Sequence, residues 1–254
     1  FYNNCSLKNI DLSKVLTVDD YAFSGDVYYI CLDDSMTVGA VDADGHYRYT
    51  YHGPQIPKAD LSAATEIGAY SFAYCREMTE VILGSQITEV PEYAFAGCIS
   101  LKDINLAAVT SVGDNAFIED ASLNVVDLSA AESVGEYAFV YCKKLTQVTL
   151  GDAIKHIGEG AFSYCEKLAS VNGMGHCDEL DDYAFAYTKI KTIEFMKNVS
   201  AVGFNTFHKA DALESINVVD KNKNYNSVDG ILFNEDGNVL VKFPAAKKGT
   251  YELP

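Results

Sequence analysis

The sequence predicts a repeat solenoid built from stacked turns of 22–23 residues. Three observations predict it: a phenylalanine recurs at nearly constant spacing, a branched aliphatic residue precedes each phenylalanine by five positions, and a leucine-rich run follows it. A unit this short cannot bury its own apolar side, so neighbouring turns must stack and share one core. We therefore expect residues 1–254 to form a single solenoid domain.

The phenylalanine sets the phase of the repeat, and we call it the marker. From Phe72 onward, successive markers are 22 or 23 residues apart. The markers are Phe1, Phe23, Phe72, Phe95, Phe117, Phe139, Phe162, Phe185 and Phe207. The aliphatic residues five positions earlier are Val18, Ile67, Val90, Val112, Val134, Ile157, Leu180 and Val202. Because each set recurs once per turn, both should form columns in the shared core.

The run after most markers, with the pattern L-x-x-V-x-L, predicts one strand per repeat. In Leu145, Val148 and Leu150 the last two apolar positions alternate with polar ones, which is the period of a strand with one buried face. Two outward side chains per turn should then line the concave side of the stack. They make a ribbon that is rich in short amide, hydroxyl and acidic groups.

This ribbon is one candidate binding surface. Its candidate binding residues are Asp103, Asn105, Asp127, Gln147 and Thr149. Strands about 4.8 Å apart would spread the ribbon over roughly 40 Å, enough for a protein partner or an extended chain. The alternative is a solvated sheet face whose side-chain ladders only stabilise the stack.

Residues 24–55 predict a β-hairpin insertion within one turn. The step from Phe23 to Phe72 is 49 residues, yet the repeat resumes in phase, and Asp44-Gly45 marks a tight hairpin turn. The insertion carries five candidate binding residues, Tyr28, Tyr29, Tyr47, Tyr49 and Tyr51. Tyrosines supply much of the energy at typical binding surfaces. The alternative is that they pack the hairpin onto the solenoid and protect an end.

A second hairpin insertion, a structural spacer, is expected over residues 219–250 around Asp236-Gly237. Both ends of the chain stop within a repeat, because Phe1 is already a marker and Tyr251 to Pro254 begin a further turn. We expect the chain to be a piece of a longer protein.

The cysteines follow the repeat rather than a metal or disulfide pattern. Four of the seven lie three residues after a marker: Cys75, Cys98, Cys142 and Cys165. A small polarisable side chain in a tight buried turn needs no redox role, so we interpret these four as structural thiols. The other three, Cys5, Cys31 and Cys177, are the ones that any disulfide would have to involve. No cysteine spacing is typical of zinc.

No motif indicates catalysis or a cofactor. The segment Asp42-x-Asp44-Gly45 would place Ala40 and Tyr51 at essential ligand positions of a calcium loop, which excludes that loop. His176 and Cys177 are adjacent in sequence, whereas a base and its nucleophile normally come from distant segments. We expect no enzymatic activity, no cofactor and no metal.

The charge and hydropathy limit the partners. A net charge of −17, from 36 acidic and 19 basic residues, argues against nucleic acid and anionic membranes. No apolar stretch reaches the roughly 18 residues that a membrane span needs, so this chain should not insert into a bilayer. A neutral, basic or cation-mediated partner is expected, and the chain should be a monomer.

The repeat unit around Ala94-Phe95-Ala96-Gly97-Cys98, with Leu101, Ile104 and Leu106, resembles the treponemal-type leucine-rich repeat of BspA-like bacterial surface proteins. The resemblance implies a right-handed β/α superhelix with short strands, and a secreted or cell-surface location with the anchor outside this chain. It also implies a non-catalytic scaffold for binding or adhesion, with a host matrix protein, another cell-surface protein or a glycan as partner. The alternative is a carbohydrate- or peptide-binding module for nutrient capture.

Overall fold

A computed structural model describes residues 1–2, 4, 6–29, 49–195, 198–219 and 222–251. They form a β-solenoid of about seven turns with a spacing of about 23 residues. The strands are β1 (Thr17–Val18), β2 (Asp26–Tyr29), β3 (Tyr49–His52), β4 (Lys58–Leu61), β5 (Glu66–Ile67), β6 (Glu80–Leu83), β7 (Glu89–Val90), β8 (Asp103–Ile104), β9 (Ser111–Val112), β10 (Val125–Leu128), β11 (Ser133–Val134), β12 (Gln147–Leu150), β13 (His156–Ile157), β14 (Ser170–Asn172), β15 (Glu179–Leu180), β16 (Thr192–Phe195), β17 (Ala201–Val202), β18 (Ser215–Val218), β19 (Tyr225–Val228), β20 (Ile231–Asn234) and β21 (Leu240–Lys242).

Each complete turn contributes two strands, whereas the sequence pattern predicts one. The front strands form parallel sheets in the order β4-β6-β8, β10-β12-β14 and β16-β18. The short strands that carry the aliphatic column form a second parallel sheet, β7-β9-β11-β13-β15-β17, which we call the aliphatic ladder. A two-residue strand buries a single side chain, such as Val112. It therefore leaves no alternation for a sequence pattern to detect.

The segment around each marker, the marker arc, is neither strand nor α-helix. Tyr137 and Tyr141, on either side of Phe139, have φ angles of 54° and 62°. Residues in this left-handed region cannot continue a right-handed helix. Among the described residues, the only helical segment is a 3₁₀ turn at Met174–His176. The marker arc is thus built from tight backbone turns, whereas the resemblance implies a helix there.

Backbone N–H groups of the marker arc donate hydrogen bonds to carbonyl groups of the next turn. The N–H groups of Tyr137 and Phe139 donate to the carbonyls of Glu159 and Ala161, each at 2.8 Å, and Tyr141 N–H donates to the next turn as well. Every second N–H of the arc is therefore used between turns. A buried arc without helix or strand would otherwise leave costly unpaired donors.

The marker phenylalanines form one continuous stack. Neighbouring rings from Phe1 to Phe207 lie 5.0 to 6.1 Å apart between centroids and are nearly parallel. The aliphatic residue of each turn is buried beside the stack from Val18 to Leu180. Phe23 stacks on Phe72 at 5.2 Å, so the repeat stays in phase across the insertion. The predicted columns are confirmed.

The column cysteines are buried free thiols, as predicted. Cys98 Sγ donates to the carbonyl of Phe72 at 3.2 Å, and Cys142 Sγ donates to that of Phe117 at 3.3 Å. Each thiol thus links its own turn to the preceding marker. Burial raises the pKa of the Cys75 thiol to about 12, so this thiol stays protonated and unreactive. Cys5 and Cys31 lie outside the described residues.

Asp120 occupies the cysteine position of its own turn. Its side chain is completely buried, and neither carboxyl oxygen has a hydrogen-bond partner among the described residues. Desolvation raises the pKa of this carboxyl well above its usual value of 3.8. In the turns that carry a cysteine or Thr188 at this position, the side chain donates to a marker carbonyl. Asp120 therefore places a buried, unpaired carboxyl where the cysteines of other turns make a hydrogen bond.

Residues 222–251 pack against β18, the last front strand described. β19, β20 and β21 form an antiparallel sheet rather than a single hairpin. Ile216 N–H of the last front strand donates to the Gly230 carbonyl at 2.8 Å, and Val218 N–H donates to the Ser227 hydroxyl. Leu232 is completely buried at this junction. The sheet covers the edge strand that a solenoid must protect.

Replacing Phe139 with alanine should lower the free energy of unfolding by roughly 3 to 5 kcal/mol, the usual cost for a buried phenylalanine. Its ring is completely buried and stacks on Phe117 and Phe162. Chemical denaturation measures the loss. The matched control is Phe204→Ala, because Phe204 is 84% exposed and should cost less than about 0.5 kcal/mol. A loss below about 1 kcal/mol at Phe139 would contradict the stacked core.

Replacing Asp120 with cysteine should raise the free energy of unfolding near pH 4 by about 1 to 3 kcal/mol, because a buried unpaired acid becomes a bonded thiol. The folded pKa lies above the unfolded value, so the wild-type chain loses stability as the pH rises above about 4. The difference between the two proteins should grow by up to about 1.4 kcal/mol per pH unit. Denaturation at several pH values measures it. A difference independent of pH would show that Asp120 is not neutral in the folded chain.

Candidate binding surface

The front strands present alternating side chains to the core and to solvent. In β10, Val126 and Leu128 are buried, whereas Val125 and Asp127 are exposed. The pairing is parallel and in register, so Asp127 lies beside Thr149 of the next turn. We call the outward residues of the front strands and the residues at their ends the front face. Its side chains have fixed neighbours one turn away on each side.

All five ribbon residues lie on the front face. Asp103, Asn105 and Asp127 are exposed, while Gln147 and Thr149 are half-buried. They come from three successive turns, those of β8, β10 and β12. The expected juxtaposition is present, and it creates a surface that is acidic at β8 and β10 and neutral at β12.

Two of these residues also shape the backbone. Asn105 Oδ1 accepts the Ala107 N–H at 3.1 Å, and Asp127 Oδ1 accepts the Ser129 N–H at 3.0 Å. Asp60 caps the bend after β4 in the same way, and hydrogen bonds from Ser62 lower the pKa of its carboxyl. This side-chain cap is the usual role of Asp and Asn in turns. Part of the ribbon therefore stabilises the bends of its own turns.

Two apolar side chains on the front face were not among the candidate binding residues. Ile82 and Val125 are each 46% exposed. Together with Glu80, Asp103 and Asn105 they line a hollow of about 370 Å³. The outward positions of β6 and β10 alone could have revealed them, since apolar residues replace the polar ones expected there. They give the ribbon a small apolar centre with an acidic rim.

The insertion begins and ends at one narrow neck. β2 and β3 pair antiparallel, with Tyr28 opposite Thr50 and Tyr29 opposite Tyr49, while Tyr51 lies opposite Val27. These two strands belong to a different sheet from the front strands. Tyr47 lies outside the described residues. Four of the five insertion tyrosines thus lie on one antiparallel strand pair.

The neck of the insertion consists of two glycines in contact. A side chain on Gly53 would lie 2.9 Å from the Gly25 Cα and 2.9 Å from the Tyr74 carbonyl oxygen. Only a residue without a Cβ fits between the two chain segments. The chain therefore leaves and re-enters the turn at nearly the same point.

Tyrosines on the marker arc form largely half-buried columns, which are not among the candidate binding residues predicted from the sequence. They stand two residues before or after a marker, in the pattern Y-A-F-x-Y-C, and the spacing of that pattern could have revealed them. Tyr70 stacks on Tyr93 at 4.5 Å, and Tyr164 stacks on Tyr187 at 4.2 Å. Because the rings cover each other's faces, the columns offer solvent mainly their edges and hydroxyl groups.

The adjacent His176 and Cys177 do not form a nucleophile and base pair. Cys177 is buried, and desolvation raises the pKa of its thiol to about 12. His176 Nε2 instead lies 3.2 Å from Asp152 Oδ1. Within the described ranges, no group of three or more His, Cys, Asp or Glu residues is placed to hold a metal ion. No described helix has both the length and the apolar character of a membrane span.

Two solved structures share this architecture. A leucine-rich cell surface protein from Faecalibacterium prausnitzii A2-165 is similar over 86% of this chain and 62% of its own, with a TM-score of 0.67 and 24% identity. A leucine-rich repeat protein from T. pallidum is similar over 65% of each chain, with a TM-score of 0.50 and 22% identity. The present chain thus spans less than two thirds of either structure. A search of curated proteins found no match.

The repeat pattern of a known family matches most of the chain. The BspA-type leucine-rich repeat region matches in six copies, over residues 48–131, 65–188 and 110–234. These overlapping matches cover the front strands from β4 to β18 and the marker arcs between them. The period, the columns and the matched residues therefore agree, and the chain belongs to the BspA-type leucine-rich repeat family.

Proposed function

We propose that this chain is a non-catalytic binding scaffold at a bacterial cell surface, and that its partner is a host matrix protein or another cell-surface protein. Repeats of this family commonly mediate protein binding. The Faecalibacterium prausnitzii structure, a cell surface protein, supports the location. An anchor outside this chain would hold it there.

The observation that carries the proposal is the contrast between a uniform core and an irregular surface. The marker stack continues unbroken past residues 24–55, so that segment is not needed to fill the core. It leaves through the Gly25 and Gly53 neck and carries five tyrosines. Tyrosine, with tryptophan and arginine, dominates binding hot spots. We propose that this insertion contributes more to recognition than the front face does.

The front face supplies a second contact area in this proposal. The apolar pair Ile82 and Val125 lies beside Asp103 and beside Glu80, which pairs with Lys58. This arrangement complements a partner segment with an aliphatic side chain next to a basic one. The net charge of −17 favours the approach of such a segment. A neutral glycan would gain nothing from this charge, and a protein partner is therefore favoured.

Deleting residues 26–52 and joining Gly25 directly to Gly53 should leave the repeats folded, because the close approach of the two glycines is compatible with the 3.8 Å between consecutive Cα atoms. Binding to purified extracellular-matrix proteins and to whole epithelial cells should fall at least tenfold. The triple variant Asp103→Ser, Asp127→Ser and Gln147→Ser should lose less. Surface plasmon resonance and cell-binding assays measure both effects, and thermal unfolding confirms that the variants fold.

The charge control is Glu89→Ser with Glu179→Ser, which removes two exposed carboxylates from the aliphatic ladder, as many as the triple variant removes from the front face. It should bind like the wild-type chain. If the triple variant loses more binding than the deletion, the recognition site is on the front face. If no variant changes binding, neither surface is the site.

A further inference from the structure

The turn that contains Gly173 departs from the repeat at one inward position. In the other front turns the equivalent residue is apolar: Leu61, Leu83, Leu106, Leu128, Leu150, Phe195 and Val218. Gly173 has a φ of 81°, and a Cβ there would lie 1.9 Å from the Leu150 carbonyl oxygen. The chain therefore approaches the preceding turn more closely than any side chain allows, and glycine is required.

This close approach opens the front of the solenoid without emptying its core. Beyond Gly173 the chain enters the 3₁₀ turn, and Met174 and Cys177 are buried there. β14 ends at Asn172 and pairs with β12 but not with β16. A second break in the front strands, between β8 and β10, carries no such glycine. In the Gly173 turn the apolar core is thus still packed, but the front strand β14 does not pair with β16.

The space opened in this way is a hollow of about 540 Å³. Small-molecule sites usually measure about 300 to 1,000 Å³. Residues from three successive turns line the hollow: Asp152 from the first, Asn172, Met174 and His176 from the second, and Lys191 and Glu194 from the third. Departures from a regular repeat that keep the core intact are expected at functional positions.

The hollow is lined by a positively charged side chain, Lys191, and a negatively charged one, Glu194. Lys191 and Glu194 form no ion pair within the described part of the chain, while His176 and Asp152 pair with each other. The Ser170 hydroxyl donates to Asn172 Oδ1 at 3.3 Å, which leaves the Asn172 amide N–H groups directed elsewhere. The hollow therefore offers an ammonium and an amide as donors and a carboxylate as acceptor. None of the described residues that line it is aromatic.

We propose that this hollow binds short zwitterionic peptides of two or three residues. Lys191 and the Asn172 amide bind the carboxylate of the ligand, Glu194 binds its ammonium group, and Met174 contacts a side chain. Charged hydrogen bonds of this kind are about twice as strong as neutral ones. A neutral sugar would offer neither protein charge a counter-charge, and it would find no aromatic ring to stack on among the described lining residues. The site does not depend on the proposed scaffold function, because it uses neither the insertion nor Asp103 and Asp127.

The test is a calorimetric and NMR titration of the folded chain with L-alanyl-L-alanine at neutral pH. Saturable binding is expected, with at least tenfold weaker binding of the N-acetylated and of the C-amidated dipeptide, since each has lost one charge. Lys191→Gln and Glu194→Gln should each weaken dipeptide binding at least tenfold. The matched controls, Lys167→Gln and Glu179→Gln, change exposed residues outside the hollow and should bind like the wild-type chain.

Three results would overturn the proposal: no saturable dipeptide binding at millimolar concentration, equal binding of the blocked dipeptides, or preferential binding of maltose. The outcome is separable from that of the scaffold proposal. The variant without residues 26–52 should bind the dipeptide normally, and Glu194→Gln should bind matrix proteins normally.

Discussion

Backbone hydrogen bonding between successive turns is the interaction on which the rest of this structure depends. It operates in the front strands, in the aliphatic ladder and in the marker arcs, so equivalent residues of neighbouring turns lie side by side. The columns of phenylalanine, cysteine and tyrosine follow from it. A left-handed tyrosine such as Tyr141 carries a conformational cost of about 1 to 3 kcal/mol. Its inter-turn hydrogen bond and a ring stacking energy of about 0.5 to 1.5 kcal/mol offset that cost.

The period of the sequence was sufficient to predict the solenoid, the core columns and the structural thiols, because each depends only on which residue types recur. The period did not predict the second strand of each repeat, and it did not predict that tight backbone turns replace the expected helix. Those depend on backbone angles such as the positive φ of Tyr137, and a tyrosine is not a residue that indicates a left-handed conformation. Strand alternation predicted the exposure of Asp103 and Asp127. It did not predict the caps formed by Asn105 and Asp127, which depend on the local backbone geometry at each bend.

The irregular residues have two different roles. Asp120 interrupts the cysteine column in the core, where its effect is on stability and on the pH dependence of stability. Gly173 interrupts the leucine column at the front, where its effect is on the shape of the surface. The missing leucine at position 173 was visible in the sequence, but the hollow was not, because its size depends on how closely the backbone approaches Leu150.

The two breaks in the front strands also determine how the solenoid responds to force. The aliphatic ladder is continuous from β7 to β17, whereas the front strands are divided between β8 and β10 and between β14 and β16. Bending that spreads the front face at these breaks ruptures no front-strand hydrogen bond, while bending in the opposite sense must distort the continuous ladder. The solenoid is therefore compliant in one direction and stiff in the other, with the uninterrupted ladder as its spine. A load applied along the array would be concentrated at these two breaks, where the front-strand pairing is absent.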